Sequence, residues 1–461
     1  MKNNNFHFLL IAACIFGMVT SSQGARGLKS PAGGAIPQII HMRSIPDAQP
    51  AGTQSVREIP FNCQSDKSQI DQLKIGASAD DAVSSAVLPD LSAPMKASGG
   101  GGGGTVAPLH IGTKFTGPVQ NGYIPYDAAI AVGPNHIVAM SNAQFAIYSK
   151  SGTLISLKQN SQFFPTDAGA NTNPKCYYDA SGHFVLFASQ AQNPLAYMNV
   201  AVSQTSDPTG AWWMYHLDWT IDGSTNTGFW GSWPTLGYDD SAIYIAANQY
   251  SFATIYNASV FAYAKVRVLN KPQLFNGATA TWTDFTNLHN ADGTPAFCVT
   301  PGCMLSSGGS EYLLNNSAGG GSTVTMWRID NAVSKPTLTL VATVPVGTYS
   351  IPPNARQAGR GSPYIATGDC RLQSVVMRGG VLYTALTVYY GGGKVKPGAG
   401  IRYLAISTSG SVSKNILYYT SGIDFYYPAV TVDASGNMFM VFSRSGPSEY
   451  ASMYMTGMMT S

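Results

Sequence analysis

The sequence predicts an all-β fold: a β-propeller of four-stranded antiparallel blades, six in number, or seven with one blade incomplete. Three observations carry this prediction. Tyr177 to Gln190 (YYDASGHFVLFASQ) and Thr431 to Ser445 (TVDASGNMFMVFSRS) repeat one hairpin: a short strand, an Asp-Ala-Ser-Gly turn and an apolar run. The Asp-x-x-Gly turn supplies a residue that tolerates left-handed φ, so the chain reverses between antiparallel strands. From about Val106 onward, sets of short strands begin near Tyr126, Pro174, Trp233, Glu311, Arg371 and Tyr427. That spacing of roughly 50 to 80 residues is the period of propeller blades with variable loops. No long helical pattern interrupts these strands, and similar four-strand sets suit radial repetition better than a two-sheet sandwich.

Met1 to Gly24 reads as a secretory signal. Lys2 gives the positive start, Phe6 to Val19 is apolar except at His7 and Gly17, and Ser22-Gln23-Gly24 is a small-residue cleavage site. The chain is therefore expected to be secreted, with lipoprotein anchoring at Cys14 as the alternative. No stretch approaches the roughly 18 apolar residues of a membrane span. Residues 25–104 show neither strand nor helix periodicity and end in Gly99 to Gly104. They are expected to form a flexible leader with a Gly-rich linker, leaving 105–461 as the propeller domain.

Within the propeller the first set contains DAAIAVG, HIVAMSN, QFAIYSK and TLISLKQ, and the second KCYYDAS, HFVLFASQ, MNVAVSQ and AWWMYHL. The third contains TLGYDD, AIYIAANQ, SVFAYAKV and ATWTDF; the fourth EYLLNNS, STVTMWRI and TLTLVATV; the fifth LQSVVMRGG, VLYTALTVYY, IRYLAIS and NILYY. The sixth, AVTVDAS, NMFMVFS and ASMYMTG, lacks an outer strand, which Val106 to Phe115 would supply. Export permits disulfides. Cys298-Val-Thr-Pro-Gly-Cys303 encloses a Pro-Gly pair, read as a turn closed by a local bridge, while Cys176 and Cys370 fall on opposite blades, too far apart to join.

Charge excludes some functions. Beyond Gly104 the chain has 18 Lys+Arg and 16 Asp+Glu. A near-neutral surface without a basic cluster gives no track for nucleic acid. No His/Cys pairing suggests a metal, no motif suggests a cofactor, and the elbow and phosphate-loop signatures of other enzyme classes are absent. Nothing in the sequence suggests an assembly larger than a monomer.

YDAAIAVGPNHIVAMSNAQFAIYSKSG, VAVSQTSDPTGAW and VFSRSGPSEYASMYMTG resemble segments of secreted bacterial propeller proteins of the sialidase-like kind, across roughly 105–461. Thr205 to Trp212 is similar to that family's Asp-box, with the glycine one residue late; the box is a structural turn. A full sialidase resemblance would imply an arginine triad, a Tyr–Glu nucleophile pair and an Asp acid/base. Arginines stand at 267, 328, 356, 360, 371, 378, 402 and 444, and glutamates at 311 and 449.

Four second strands end in polar clusters: Ser141-Asn142, Ser189-Gln190, Asn248-Gln249 and Ser443-Arg444. In a propeller such ends gather on one face around the axis. The expected ligand site is therefore Asn142, Gln190, Asn248, Gln249 and Arg444, completed by Trp233, Glu311, Asp369 and Glu449. Amides and a guanidinium suit hydroxyl-rich or carboxylate ligands. Trp233 lies in the densest aromatic patch, with Phe229, Trp230 and Tyr238, which serves either inter-blade packing or a sugar face. His183 is expected to be a solvated turn residue. The sequence thus favours an exported module that binds an extracellular glycan or surface protein. The alternative is a glycoside hydrolase using two carboxylates among Asp127, Asp239, Glu311, Asp369 and Glu449.

Overall fold

The structure is a computed structural model that describes residues 27–48, 57–58, 113–119, 123–253, 259–359 and 361–459. The expected signal, the Gly99 to Gly104 run, Cys14, Cys63 and Arg360 lie outside the described residues.

The described chain is all-β, in consecutive antiparallel sets of propeller type. The first set is Ala129–Val132, His136–Met140, Gln144–Ser149 and Leu154–Gln159. The second is Thr172–Asp179, His183–Gln192, Leu195–Ser203 and Ala211–Asp218. The third is Phe229–Tyr238, Ala242–Ser251, Phe261–Asn270 and Trp282–Phe285. The fourth is Thr300–Met304, Glu311–Asn316, Gly320–Asp330 and Thr337–Ser350. The fifth is Val375–Arg378, Val381–Gly392, Val395–Ser407 and Val412–Tyr418. The sixth has Asp424–Val432, Met438–Gly446 and Glu449–Met458.

The two DASG turns are built alike. Gly182 and Gly436 take φ of 100° and 81°. Their amides donate to the Asp179 and Asp433 carbonyls at 2.9 and 3.0 Å, and each Asp carboxylate also accepts the amide of the serine two residues on.

Apolar side chains of consecutive sets meet face to face. Phe145 and Met140 pack with Phe184 and Trp212 between the first and second sets. Val200 and Trp219 meet Trp230 and Ile245 between the second and third. Similar cores join the third to the fourth, the fourth to the fifth and the fifth to the sixth. First strands lie side by side: Tyr238 bridges Cys303 in parallel, and Gly302 to Met304 pair with Val375 to Met377. Each first strand is thus the innermost of its set, and four of them carry a proline. Pro174, Pro234, Pro301 and Pro428 all sit there.

Three expectations need correction. The Pro301-Gly302 pair is not a turn but the middle of the strand Thr300–Met304. An extended segment of about 3.3 Å per residue then holds Cys298 and Cys303 apart. No disulfide joins them: Cys176, Cys298, Cys303 and Cys370 are all thiols. Consequently Glu311 begins the second strand of its set, not the first.

The leader is not wholly structureless either. Leu28–Lys29 pairs with Thr283 and Asp284 on the outer edge of the third set. Gln38–His41 adds a strand to the outer edge of the second. Met42 and Ile45 are buried in the core between the first and second sets, and Asp47 pairs with Lys158 at 2.9 Å. An open sheet edge is a template for added strands, and this segment uses two of them.

Residues 106–112 of the expected closing strand lie outside the described residues. Phe115 packs on Tyr148 of the first set, ring centroids 5.0 Å apart.

Candidate functional site

Five non-glycine residues at equivalent places near the start of a first strand have left-handed backbones: Asp127, Asn173, Trp233, Cys298 and Tyr427, with φ between 45° and 54°. Each stands six residues before the turn to the second strand, as in NPKCYYD, WPTLGYD and YPAVTVD. In the second, third and sixth sets the register shifts at this point, forming a bulge. Left-handed φ in Trp or Tyr costs about 1–3 kcal/mol and persists only where the surroundings impose it. The following prolines, which push a preceding residue toward extended conformations, add to the conflict. Bulges of this kind re-aim side chains and occur often beside functional sites.

Polar side chains of preceding second strands bond the backbone at three of these residues and, in the fifth set, at Leu372. Asn142 Oδ1 accepts the Asn173 amide at 2.8 Å, and Asn248 Oδ1 accepts the Cys298 amide at 2.8 Å. Thr387 Oγ1 accepts the Tyr427 amide at 3.2 Å, and Asn316 Oδ1 accepts the Leu372 amide at 3.2 Å. Asn142 and Asn248 are therefore buried in joints between sets. Gln190 and Gln249 are buried too: Gln190 Nε2 donates to the Gly169 carbonyl at 3.1 Å, and Gln249 Oε1 accepts from Trp219 at 2.6 Å. Trp230 is packed in the core, whereas Trp233 is half-buried at its bulge.

One cluster draws on five sets. The Arg371 guanidinium lies 4.5 Å from the Trp233 ring centroid and 5.3 Å from that of Phe297. Asp369 holds Arg371 from the other side, with oxygens at 2.8 and 2.7 Å from Nε and NH2. Tyr427 donates its hydroxyl to the Ala366 carbonyl at 3.0 Å and lies against Gly368. A Cβ at Gly368 would come within 3.3 Å of that ring, and φ there is +72°, so glycine fits on both counts. The Tyr427 hydroxyl is pushed up to about 12 by burial and by the charges of Asp369 and Asp127, with Arg371 opposing. Yet Tyr427 is 40% exposed.

Asp127, from the first set, accepts Asn142 Nδ2 at 3.0 Å. Lys175, from the second set, is held below its usual value by burial, with Asp127 opposing. Aromatic faces, a guanidinium, an ammonium and two carboxylates thus gather around the half-buried Trp233 and the exposed Tyr427, with Arg371 and Asp369 themselves buried and paired with each other. The two aromatic rings offer stacking there, with the buried ion pair behind them.

Of the sequence-predicted residues, Trp233 and Asp369 are brought together through Arg371. Arg444 and Glu449 also meet, Nε to Oε1 at 2.8 Å, with Arg444 over the rings of Tyr454 and Phe425. Glu311 lies elsewhere. It is fully buried, its Oε1 accepts the Gly302 amide at 2.6 Å, and burial with the nearby Asp239 charge raises its carboxyl well above the usual range. Asp127 was among the candidate carboxylates of the hydrolase alternative, whereas Asn173, Lys175, Phe297, Arg371 and Tyr427 were not in the predicted set. The recurring X-Pro six residues before Asp was the available signal for Asn173 and Tyr427. His183 is half-buried, with Nδ1 2.6 Å from the Ser203 carbonyl.

The Asp207 turn packs Trp212 into the core, with Nε1 3.0 Å from the Pro208 carbonyl. The arginine triad that a sialidase resemblance implies is not formed among the described residues. Arg267, Arg328, Arg356, Arg371 and Arg444 are each engaged by a separate carboxylate. Arg402 donates to the carbonyls of Gly347 and Thr348. Among the described residues no cluster of three His, Cys, Asp or Glu side chains is placed to hold a metal ion. No helix there is long and apolar enough to cross a membrane.

No family model matches the chain, and no curated protein matches it. Solved structures resemble it distantly. A polysaccharide lyase shares 9% identity over 73% of this chain and 78% of its own, with a TM-score of 0.40. An endo-arabinase from Bacteroides thetaiotaomicron shares 10% over 73% and 94%, at 0.32. A glycosyl hydrolase from Bacteroides ovatus shares 9% over 72% and 83%, also at 0.32. All three are named for action on glycans, and none is named as a sialidase.

Proposed function

We propose that the protein is an exported propeller of six blades that binds a glycan at the mouth formed by the bulged first strands. The observation that carries this reading is the strained Trp233 bulge, which sets an indole at the mouth with Arg371 against it. Six consecutive strand sets with shared cores support the blade count. Sugar rings stack their apolar faces on aromatic side chains, while the surrounding charged and amide groups pair with hydroxyls. Export rests on the signal-like Met1 to Gly24, and N-terminal sequencing of the mature protein tests it. A glycan array followed by titration calorimetry tests binding. Trp233→Ala should weaken the best array ligand on the order of tenfold, the worth of one aromatic stack. Unchanged affinity would remove the mouth from consideration.

A second reading, a glycoside hydrolase on the same scaffold, is favoured by one observation. The Tyr427 ring packs on Gly368, next to Asp369, and the charges of Asp369 and Asp127, from different sets, both help to raise its hydroxyl. Hydrolysis needs two carboxyl groups roughly 5–10 Å apart. Under this reading Asp127→Asn abolishes reducing-sugar release and keeps binding. If wild type releases no sugar from any array ligand it binds, the hydrolase reading fails and the binding reading stands.

A further inference from the structure

A cavity of about 1030 Å³ lies beside the mouth, walled by the third and fourth sets. Phe297 connects the two: it lines the cavity, directly precedes the left-handed Cys298, and stands 5.3 Å from Arg371. We propose that this cavity is an extended subsite for an uncharged oligosaccharide, continuing from the mouth. The inference rests on the glycan reading above and names the ligand class.

The chemistry of the walls carries it. Phe261 and Phe297, both half-buried, line the cavity and meet edge to face, centroids 5.2 Å apart at 75°, which puts aromatic surface in its wall for an apolar sugar face. Opposite them stand amides and hydroxyls already fixed in orientation. Asn290 Oδ1 accepts from Asn315 Nδ2 and from Thr325 Oγ1, both at 3.0 Å, and Trp327 Nε1 donates to Asn315 Oδ1 at 2.7 Å. A bound ligand therefore meets rotamers that need little further ordering. Among the lining residues Asp292 is the one ionisable side chain, and it is exposed and already accepts from Thr294. No cation stands there to receive a uronate, sulfate or phosphate. Desolvating such an anion beside Asp292 would be unfavourable, whereas neutral hydroxyls pair with amides and hydroxyls in either direction. The volume lies at the upper end of the roughly 300–1,000 Å³ that houses a drug-sized ligand, so it takes more than one sugar ring.

The test uses the full chain in titration calorimetry. Probes are the neutral hexasaccharides cellohexaose, xylohexaose and mannohexaose, the disaccharide of each, and the acidic hexamer of galacturonic acid. Thr343 is an exposed wall residue paired with Thr325, so Thr343→Arg blocks the cavity without disturbing the core. Phe261→Ala removes an aromatic face and serves as an independent second variant. At least one neutral hexamer should bind more tightly than the acidic one. Thr343→Arg and Phe261→Ala should each weaken it about tenfold while changing its disaccharide less than about twofold. Trp233→Ala should weaken both lengths. The inference is overturned if both cavity variants bind the hexamer as wild type does, or if the galacturonate hexamer binds best. In either case loss of binding in Trp233→Ala leaves the mouth reading intact. If wild type binds none of the probes, the mouth reading and this inference fail together.

Discussion

Glu311 has one carboxyl oxygen on the Gly302 amide and the other, Oε2, with no hydrogen-bond partner in a fully buried position. Its carboxyl is raised well above 4.5, chiefly by burial, so the folded state keeps the proton that the unfolded chain releases. Its contribution is therefore fully present below about pH 4.5 and is lost as pH rises toward the folded value, by up to about 1.4 kcal/mol per pH unit. Glu311→Gln should flatten this fall and raise stability at neutral pH, measured as urea midpoints across pH 4 to 8. A variant with the wild-type slope would show that Glu311 is ionised in the fold. Asn248→Ala should cost roughly 1–3 kcal/mol by removing the buried acceptor of the Cys298 amide, read as a lowered urea midpoint. These residues mark what was legible. Trp233 and Asp369 could be picked out by type and by position near a strand start. Asn142 and Asn248 were recognised as strand-end polar groups, but such a group reads the same in sequence whether it meets solvent or the next set's backbone.

At the level of elements, the hairpin repeat and most strands were visible because their turns carry chemistry: Asp for the side-chain bond to the backbone, Gly for positive φ. The fourth set's first strand was hidden because Pro301-Gly302 looks like a turn. The pair nevertheless lies within an extended strand that joins the first strands of the third and fifth sets. Denaturing thiol titration with peptide mapping should therefore recover Cys298 and Cys303 unbridged. Burial pushes the Cys303 thiol up to about 12, so alkylation at neutral pH should be slow until the chain unfolds. Recovery of a 298–303 bridge would contradict the strand assignment. The leader strands were hidden for another reason. Leu28–Lys29 and Gln38–His41 are too short for a period-2 signal and form by adding to edges made elsewhere in the chain. Ile40→Pro removes a ladder donor opposite Trp212 and should cost roughly 1–3 kcal/mol in urea denaturation.

Across the whole molecule, five of the described cores are shared between neighbouring sets, so first strands and their bulges are held in a common frame rather than by separate domains. That frame supports the strain at Trp233 and Tyr427 and is the basis of the glycan proposal. The opposite turns offer a rival location. A cavity of about 580 Å³ there is lined by Asp179, Asp239, Lys271 and His183. A crystal structure of the full chain with its best array ligand distinguishes the two most directly. The account predicts a sugar ring in van der Waals contact with Trp233, beside Arg371 and Tyr427. A ligand seated instead between Asp179 and Lys271, with the Trp233 mouth bare, would contradict it.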